Sequence, residues 1–186
     1  MKLIDILTTA CNLLGMEVEA NLLRATTDEN SDETLKNVNI NRLFELSKFS
    51  IQEFCTNYVP ITNQTTINTT NKTYQVKNLT NFIRMLNAYK GGESVKYKLI
   101  NRNLVFDKDG EYTLFYLTYP NLTSLFDELD FLTNLNPDVI VFGLCAYYCL
   151  AVGLFSEYED FHEKYVDKAE SLKTLRSLNL PNRRWE

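Results

Sequence analysis

The stretch "VKYKLINRNLVFDKDGEYTLFYLTYP", Val95 to Pro120, decides how this chain is read. Its apolar period is close to two: Val95, Tyr97 and Leu99 alternate with Lys96 and Lys98, and Tyr112, Leu114 and Tyr116 alternate with Thr113, Phe115 and Leu117. Between the runs, "LVF" (104–106) leads into Asp107-Lys108-Asp109-Gly110, and an Asp-Gly pair in that position predicts a β-hairpin. The last run is apolar on both faces, which predicts a covered middle strand in a small antiparallel sheet. Just upstream, "ITNQTTINTTNKTYQV" (61–76) is rich in Thr and Asn and poor in helix formers, so the β region begins there.

On either side the period becomes helical. Leu3, Ile4, Ile6, Leu7, Ala10, Leu13 and Leu14 describe a first short amphipathic helix with Gly15 at its close. Residues 17–38 are acidic and polar and read as a solvated loop or helix start. A longer helix follows from about Ile40 to Tyr58, stopped by Val59-Pro60. After the β region, Leu122, Leu125, Phe126, Leu129 and Leu132 predict a short helix. Asn136-Pro137-Asp138 then supplies an N-cap, a first-turn proline and an acidic first turn for the next one.

That next helix is expected to run through "VIVFGLCAYYCLAVGLFS" (139–156), eighteen residues without a charge, about 27 Å at ~1.5 Å per residue. The length meets the threshold for a membrane span. Asp138 and Glu157 flank it, no basic residue lies close to either end, and Tyr147 and Tyr148 fall at its middle, so it reads instead as a helix buried on all sides. The final stretch places Tyr158, Phe161, Tyr165, Ala169, Leu172 and Leu175 on one stripe of a surface helix ended by Pro181. The expected class is α+β: mainly a helical bundle with an inserted small antiparallel sheet. Its segments are N-terminal helices over 1–60, a β subdomain over 61–120, C-terminal helices over 121–180 and a tail over 181–186.

The chain has 186 residues, of which 45% are apolar and 23% charged, enough for one domain with a proper core. A net charge of −5 provides no overall attraction to phosphates, which disfavours a sequence-reading DNA binder. Met1-Lys2-Leu3-Ile4-Asp5 does not read as a signal peptide, so a cytoplasmic location is expected. On that footing the Asn-x-Thr sequons at Asn63, Asn68, Asn71, Asn78 and Asn121 are chance matches. Cys11, Cys55, Cys145 and Cys149 lie in apolar surroundings and read as reduced core residues. Cys145 and Cys149 share a helix face, but His162 is the one histidine, so neither a metal site nor a cofactor is expected.

Catalytic patterns are missing. Gly91-Gly92 lacks the rest of a phosphate loop, and no Gly-x-Ser-x-Gly elbow occurs. A Cys149–His162 pair is the one nucleophilic arrangement open to the chain, and its apolar flanks argue against an activated thiolate. Asp127-Glu128-Asp130 and Glu157-Glu159-Asp160 read as solvated helix faces. Lys96, Lys98, Arg102 and Lys108 make the β region locally basic, with Tyr97 and Phe106 interleaved. This is either an interface or channel-lining hairpin that could touch nucleic acid, or lysines guarding a strand edge.

The ordering of four segments resembles the head–tail connector (adaptor) proteins of tailed bacteriophages and prophages of Gram-positive hosts. Gly143, Ala146 and Tyr148 match a Gly-x-x-Ala-x-Tyr stretch in a buried helix; Phe155, Phe161, Lys164 and Tyr165 match an aromatic-rich Lys-Tyr helix; Arg183, Arg184 and Trp185 match a terminal Arg-Arg-Trp. "NRLFELSKFSIQEFCTNYVPI" (41–61) is similar to the family's long helix, and "EYTLFYLTYP" (111–120) to its closing strand. Tyr147 stands where the family commonly has an acidic residue.

The resemblance implies a non-enzymatic virion protein assembled in the host cytoplasm. It would form a homo-oligomeric ring, commonly of about twelve copies, under the portal protein. It would carry the stopper or tail-completion protein, and double-stranded DNA would pass through without sequence-specific binding or membrane contact. Arg183, Arg184 and Trp185 would then dock on the portal or on a neighbouring subunit. The alternatives are another phage neck or tail structural protein, or a small cytoplasmic module recognising nucleic acid or a host protein.

Overall fold

The computed structural model describes residues 1–132 and 135–178, with side chains as far as Leu172. It is a mixed α+β protein, half helical and about a quarter strand. The chain divides into two compact units, one formed by Met1–Val59 with the chain from Leu122 onward, the other by Pro60–Asn121.

In the first unit, α1 (Leu3–Leu13) buries Leu3, Ile4, Ile6, Leu7, Ala10 and Cys11, the face expected from its spacing. Gly15 at φ +70° turns the chain directly into α2 (Glu17–Arg24), which buries Ala20 and Leu23. A short helix α3 (Ser31–Thr34) precedes α4 (Val38–Asn57), whose N-terminus is capped by Asn37 Oδ1 accepting from the Asn39 and Ile40 amides at 3.0 and 3.2 Å.

α5 (Asp138–Val152) contacts α1, α4 and α6 (Phe155–Leu178) and forms the centre of the unit. The Asn136 side chain accepts from the Asp138 amide at 2.9 Å and fixes its start. Its end corrects the sequence reading. Gly153 takes φ +81°, the left-handed conformation that closes a helix, so α5 stops there and Phe155 opens α6. No helix among the described residues is long and apolar enough to cross a membrane.

The helix expected over 122–132 does not form; only Asp130–Leu132 makes a 3-10 turn. The first amides of α1 have no partners within their own helix, and this segment supplies them. Leu3 and Ile4 N–H donate to the Asp127 and Leu125 carbonyls at 3.0 and 2.8 Å, and Leu129 N–H donates to Met1 O at 2.8 Å. The Asp127 carboxylate holds the local turn by accepting from the Thr123 and Ser124 amides. A helix would commit the Leu125 carbonyl internally, whereas the extended path still buries Leu122, Leu125, Leu129 and Leu132.

The second unit contains two antiparallel sheets. β1 (Ile61–Thr69), β7 (Gly110–Thr118), β3 (Phe82–Lys90) and β4 (Glu93–Ser94) lie in the order β1-β7-β3-β4. β2 (Thr73–Gln75), β6 (Asn103–Val105) and β5 (Lys98–Ile100) lie in the order β2-β6-β5. β7 is interior to its sheet, with Leu114 opposite Thr65 on one side and Ala88 on the other. Tyr112, Leu114 and Tyr116 point into one cluster with Ile67, Ala88, Leu104 and Phe106.

The Asp109-Gly110 hairpin is the second correction. β6 and β7 are not paired; the link between them passes from one sheet to the other. Three contacts hold it: Tyr112 OH donates to Lys108 O at 2.6 Å, Lys90 Nζ donates to Asp109 O at 2.7 Å, and the Lys72 amide donates to the Asp109 carboxylate. The tight turns lie elsewhere. Asn71-Lys72 (φ +57° and +59°) joins β1 to β2, and Asn101-Arg102 (φ +47° and +61°) joins β5 to β6. Positive φ at both central residues is the requirement of a type I′ hairpin turn.

Candidate functional site

Three helices of the first unit converge on a small cavity of about 70 Å³. α4 contributes Glu53; α5 contributes Gly143, Ala146, Tyr147 and Leu150 at spacings of three, four and seven; α6 contributes Tyr158, His162 and Tyr165 at spacings of four and seven. These spacings put each set on one helix face. Glu53 Oε2 accepts from Tyr147 OH at 2.9 Å and from Tyr165 OH at 3.4 Å. Tyr165 meets Tyr58 edge-on with ring centres 5.9 Å apart, and His162 lies 5.2 Å from the Tyr158 ring.

Burial, reinforced by the Glu53 carboxylate, drives both phenols toward their protonated forms. Tyr147 is pushed up to about 12, and Tyr165 is raised further. Both therefore stay hydrogen-bond donors to Glu53 through the physiological range, which suits a clamp and does not suit a proton shuttle. Gly143 lets the helices approach closely at this junction: a Cβ there would stand 2.8 Å from Ser50 Oγ and 3.1 Å from the Tyr165 ring. Ser50 Oγ is itself buried without a hydrogen-bond partner among the described residues.

All four cysteines are free and buried. Burial pushes the Cys11 thiol up to about 11 and those of Cys55 and Cys145 to about 12; Cys149 is raised by burial and then by the Glu157 carboxylate. A thiolate at Cys149 is disfavoured. His162 lines the junction cavity and Cys149 does not, so the one nucleophile–base pair considered from sequence is not assembled there. No group of three or more His, Cys, Asp or Glu side chains is placed to hold a metal among the described residues.

In the second unit the structure brings part of the basic set together. Lys96 and Lys108 line one groove of about 330 Å³ with Lys90, Glu93, Asp107 and Tyr112, and Lys96 and Lys98 line an adjoining one with Tyr97 and Asp107. Arg102 is apart from both, exposed at the β5–β6 turn. Carboxylates share the groove with the lysines. The aromatic faces a nucleic acid would stack on are occupied: Phe106 is buried and stacked on Tyr112 at 4.1 Å, and Tyr97 packs against the sheet core.

Arg183, Arg184 and Trp185 lie outside the described residues. Two features escaped the sequence reading. Glu53 was one carboxylate on an amphipathic helix, with nothing local to mark Tyr147 and Tyr165 as its partners. The other is an apolar corner where α5 gives way to α6, at which Leu150, Leu154 and Phe155 are 45%, 44% and 65% exposed. The glycine at 153 was the available signal, because it splits what reads as one uncharged helix and turns its last residues outward.

No family model matches the chain, and no curated protein matches it.

Proposed function

We propose that this chain is a ring-forming connector of a phage neck, standing between a DNA-filled head and the tail components. The observation that carries the reading is the convergence at Gly143. Three of the segments that resemble the connector family supply the junction: the long helix gives Ser50 and Glu53, the Gly-x-x-Ala stretch gives Gly143 and Ala146, and the Lys-Tyr helix gives Tyr165. Residues far apart in sequence thus serve one packing node, as a structural framework requires. Tyr147, which departs from the family's acidic preference, here donates to the Glu53 carboxylate, so the junction keeps a negative group supplied by the neighbouring helix.

The architecture also fits. In chain order a β region separates the long helix α4 from the buried helix α5, the order in which the segments resembling the family's long helix, closing strand and buried helix follow one another in the sequence. The net charge of −5 suits a channel subunit, because each phosphate neutralised by a lysine or arginine adds salt-dependent grip that would slow passing DNA. The exposed apolar corner at Leu154 and Phe155 is a surface that association with further copies or with the portal would cover. The site chemistry is that of a scaffold: protonated phenols on a carboxylate, and thiols held neutral.

Native mass spectrometry or light scattering of the full chain, alone and mixed with its cognate portal protein, tests this directly. A ring-sized species in either condition is expected. A strict monomer in both would remove the reading. A second reading, a nucleic-acid-binding module, is favoured by the gathering of Lys90, Lys96 and Lys108 on one groove. The carboxylates in that groove and the occupied aromatic faces count against it.

A further inference from the structure

The cavity where α4, α5 and α6 converge sets one carboxylate among aromatic rings. The buried Tyr165 ring lies at its inner side, and Tyr147, Tyr158 and His162 supply further rings around Glu53. Glu53, Tyr147 and Tyr158 are half-buried, whereas Leu150 and His162 are exposed, so the cavity opens to solvent beside those two.

Among the described residues Glu53 is paired with no cation. The ion pairs there are Lys48–Glu45 and Lys168–Asp138, and Lys164 lies over the Phe142 and Phe161 rings at 6.0 and 5.6 Å from their centres. The partners of Glu53 are the Tyr147 and Tyr165 phenols, and both bonds end on Oε2, which leaves Oε1 for a further donor. Protonated phenols do not offset the carboxylate charge. A cation within about 6 Å of such ring centres is also drawn to their π faces, the more so when desolvated. A divalent metal is poorly matched, because the cavity offers a single carboxylate and a hard cation collects six or more oxygens.

Size and geometry narrow the class. A volume of about 70 Å³ is several times the roughly 10–15 Å³ that one water needs, and far below the about 300–1,000 Å³ of pockets for drug-sized molecules, so it admits a head group and not a whole ligand. With Oε2 held by two phenols, the two-oxygen fork that a guanidinium prefers is not on offer, whereas an ammonium is a compact charge that needs one strong acceptor. We propose that this cavity binds a primary alkylammonium head group, its nitrogen on Glu53 Oε1 among the Tyr147, Tyr158 and Tyr165 rings and its methylene chain leaving past Leu150. A lysine side chain and a free aliphatic amine carry this same chemistry. The site does not depend on whether copies of the chain form a ring.

n-Butylammonium, which reproduces the end of a lysine side chain, is the probe. Saturation-transfer NMR of its own protons, at constant ionic strength, measures binding to the full chain whether that chain is a monomer or a ring. n-Butanol is the neutral control and n-butylguanidinium the planar cation, while Nα-acetyl-lysine methylamide presents the same ammonium on a backbone. Glu53→Gln removes the charge and keeps an acceptor for both phenols. Tyr158→Leu keeps an apolar side chain and removes a ring, and circular dichroism checks that each variant folds.

The expected result is saturable n-butylammonium binding with a Kd of about millimolar, the range for so small a ligand. n-Butanol should not saturate and n-butylguanidinium should bind more weakly. Glu53→Gln should lose about tenfold or more in affinity, and Tyr158→Leu severalfold. Nα-acetyl-lysine methylamide binding at least as well as n-butylammonium would identify a protein lysine as the occupant; its exclusion while n-butylammonium binds would identify a free amine. The proposal is overturned by absence of saturable binding, by equal binding of n-butanol, by a guanidinium that binds more tightly than the ammonium, or by undiminished affinity in both variants.

Discussion

Gly143 on α5 and Ser50 on α4 face each other with no space for a methyl group between them: a Cβ at 143 would stand 2.8 Å from Ser50 Oγ. Gly143→Ala is therefore expected to destabilise by about 1–3 kcal/mol through overpacking. Ser50→Ala should be neutral or stabilising by up to about 1 kcal/mol, since it removes a buried hydroxyl without a partner. The double variant should recover only part of the loss, because the Tyr165 ring still presses on the new methyl at 3.1 Å. Urea midpoints of the three variants check this, and a fully stable Gly143→Ala would contradict the geometry.

The thiols predict an alkaline weakness. Cys55 and Cys145 have pKa values raised by burial from about 9 to about 12, so the folded state holds their protons longer than the unfolded chain does. Their contribution is complete below pH 9 and is lost as pH rises from 9 toward 12, with a slope of up to about 1.4 kcal/mol per pH unit for each group. Unfolding free energies measured between pH 8 and 11 should fall, and Cys55→Ala should reduce the slope. A disulfide-exchange reagent should find the thiols unreactive until denaturant is added. Equal stability at pH 8 and 11 would refute this.

Lys72 holds φ +59° in the β1–β2 turn, a conformation costing an L-residue about 1–2 kcal/mol and glycine almost nothing. Lys72→Gly should raise the thermal midpoint, with a net gain of up to about 1 kcal/mol after the added freedom of the unfolded chain is subtracted. Lys72→Val, with a branched Cβ, should lower it. The opposite order would show that the turn conformation is not what limits this hairpin.

Replacing Lys96, Lys98, Arg102 and Lys108 together by glutamine removes four exposed charges without touching the core. Stability should change by no more than about 0.5 kcal/mol per site. Under the connector reading, oligomer mass is unaltered and duplex DNA at physiological salt binds no tighter than the non-specific range of about 10⁻⁴–10⁻⁶ M. Tight duplex binding by wild type that the variant loses would move the groove, and not the helical junction, to the centre of the protein's function.

The placement of most helices and of β7 was legible because their signals are local. Leu3 through Ala10 repeat on one helical face, Val59-Pro60 stands just past the end of α4 at Asn57, and an apolar run on both faces at 112–117 leaves a central strand as the natural assignment. The misread elements were those whose outcome depends on distant backbone. Leu122 to Leu132 has helical spacing, yet its carbonyls are claimed by the opening amides of α1 more than 120 residues upstream. Asp109-Gly110 has hairpin chemistry, yet Lys72, Lys90 and Tyr112 hold it as a passage between two sheets.

By itself the sequence determined the alternation of periods, and with it a helical region interrupted by a β region, a set of thiols embedded in apolar runs, and an acidic surface. Periodicity and burial tendency belong to each segment and need no partner. Tertiary structure alone decided that Gly143, Ser50, Glu53, Tyr147 and Tyr165 meet at one node, and that Gly153 turns Leu154 and Phe155 out of the core. Those relationships are distances between separate helices, and they arise only when α4, α5 and α6 compete for the same packing space.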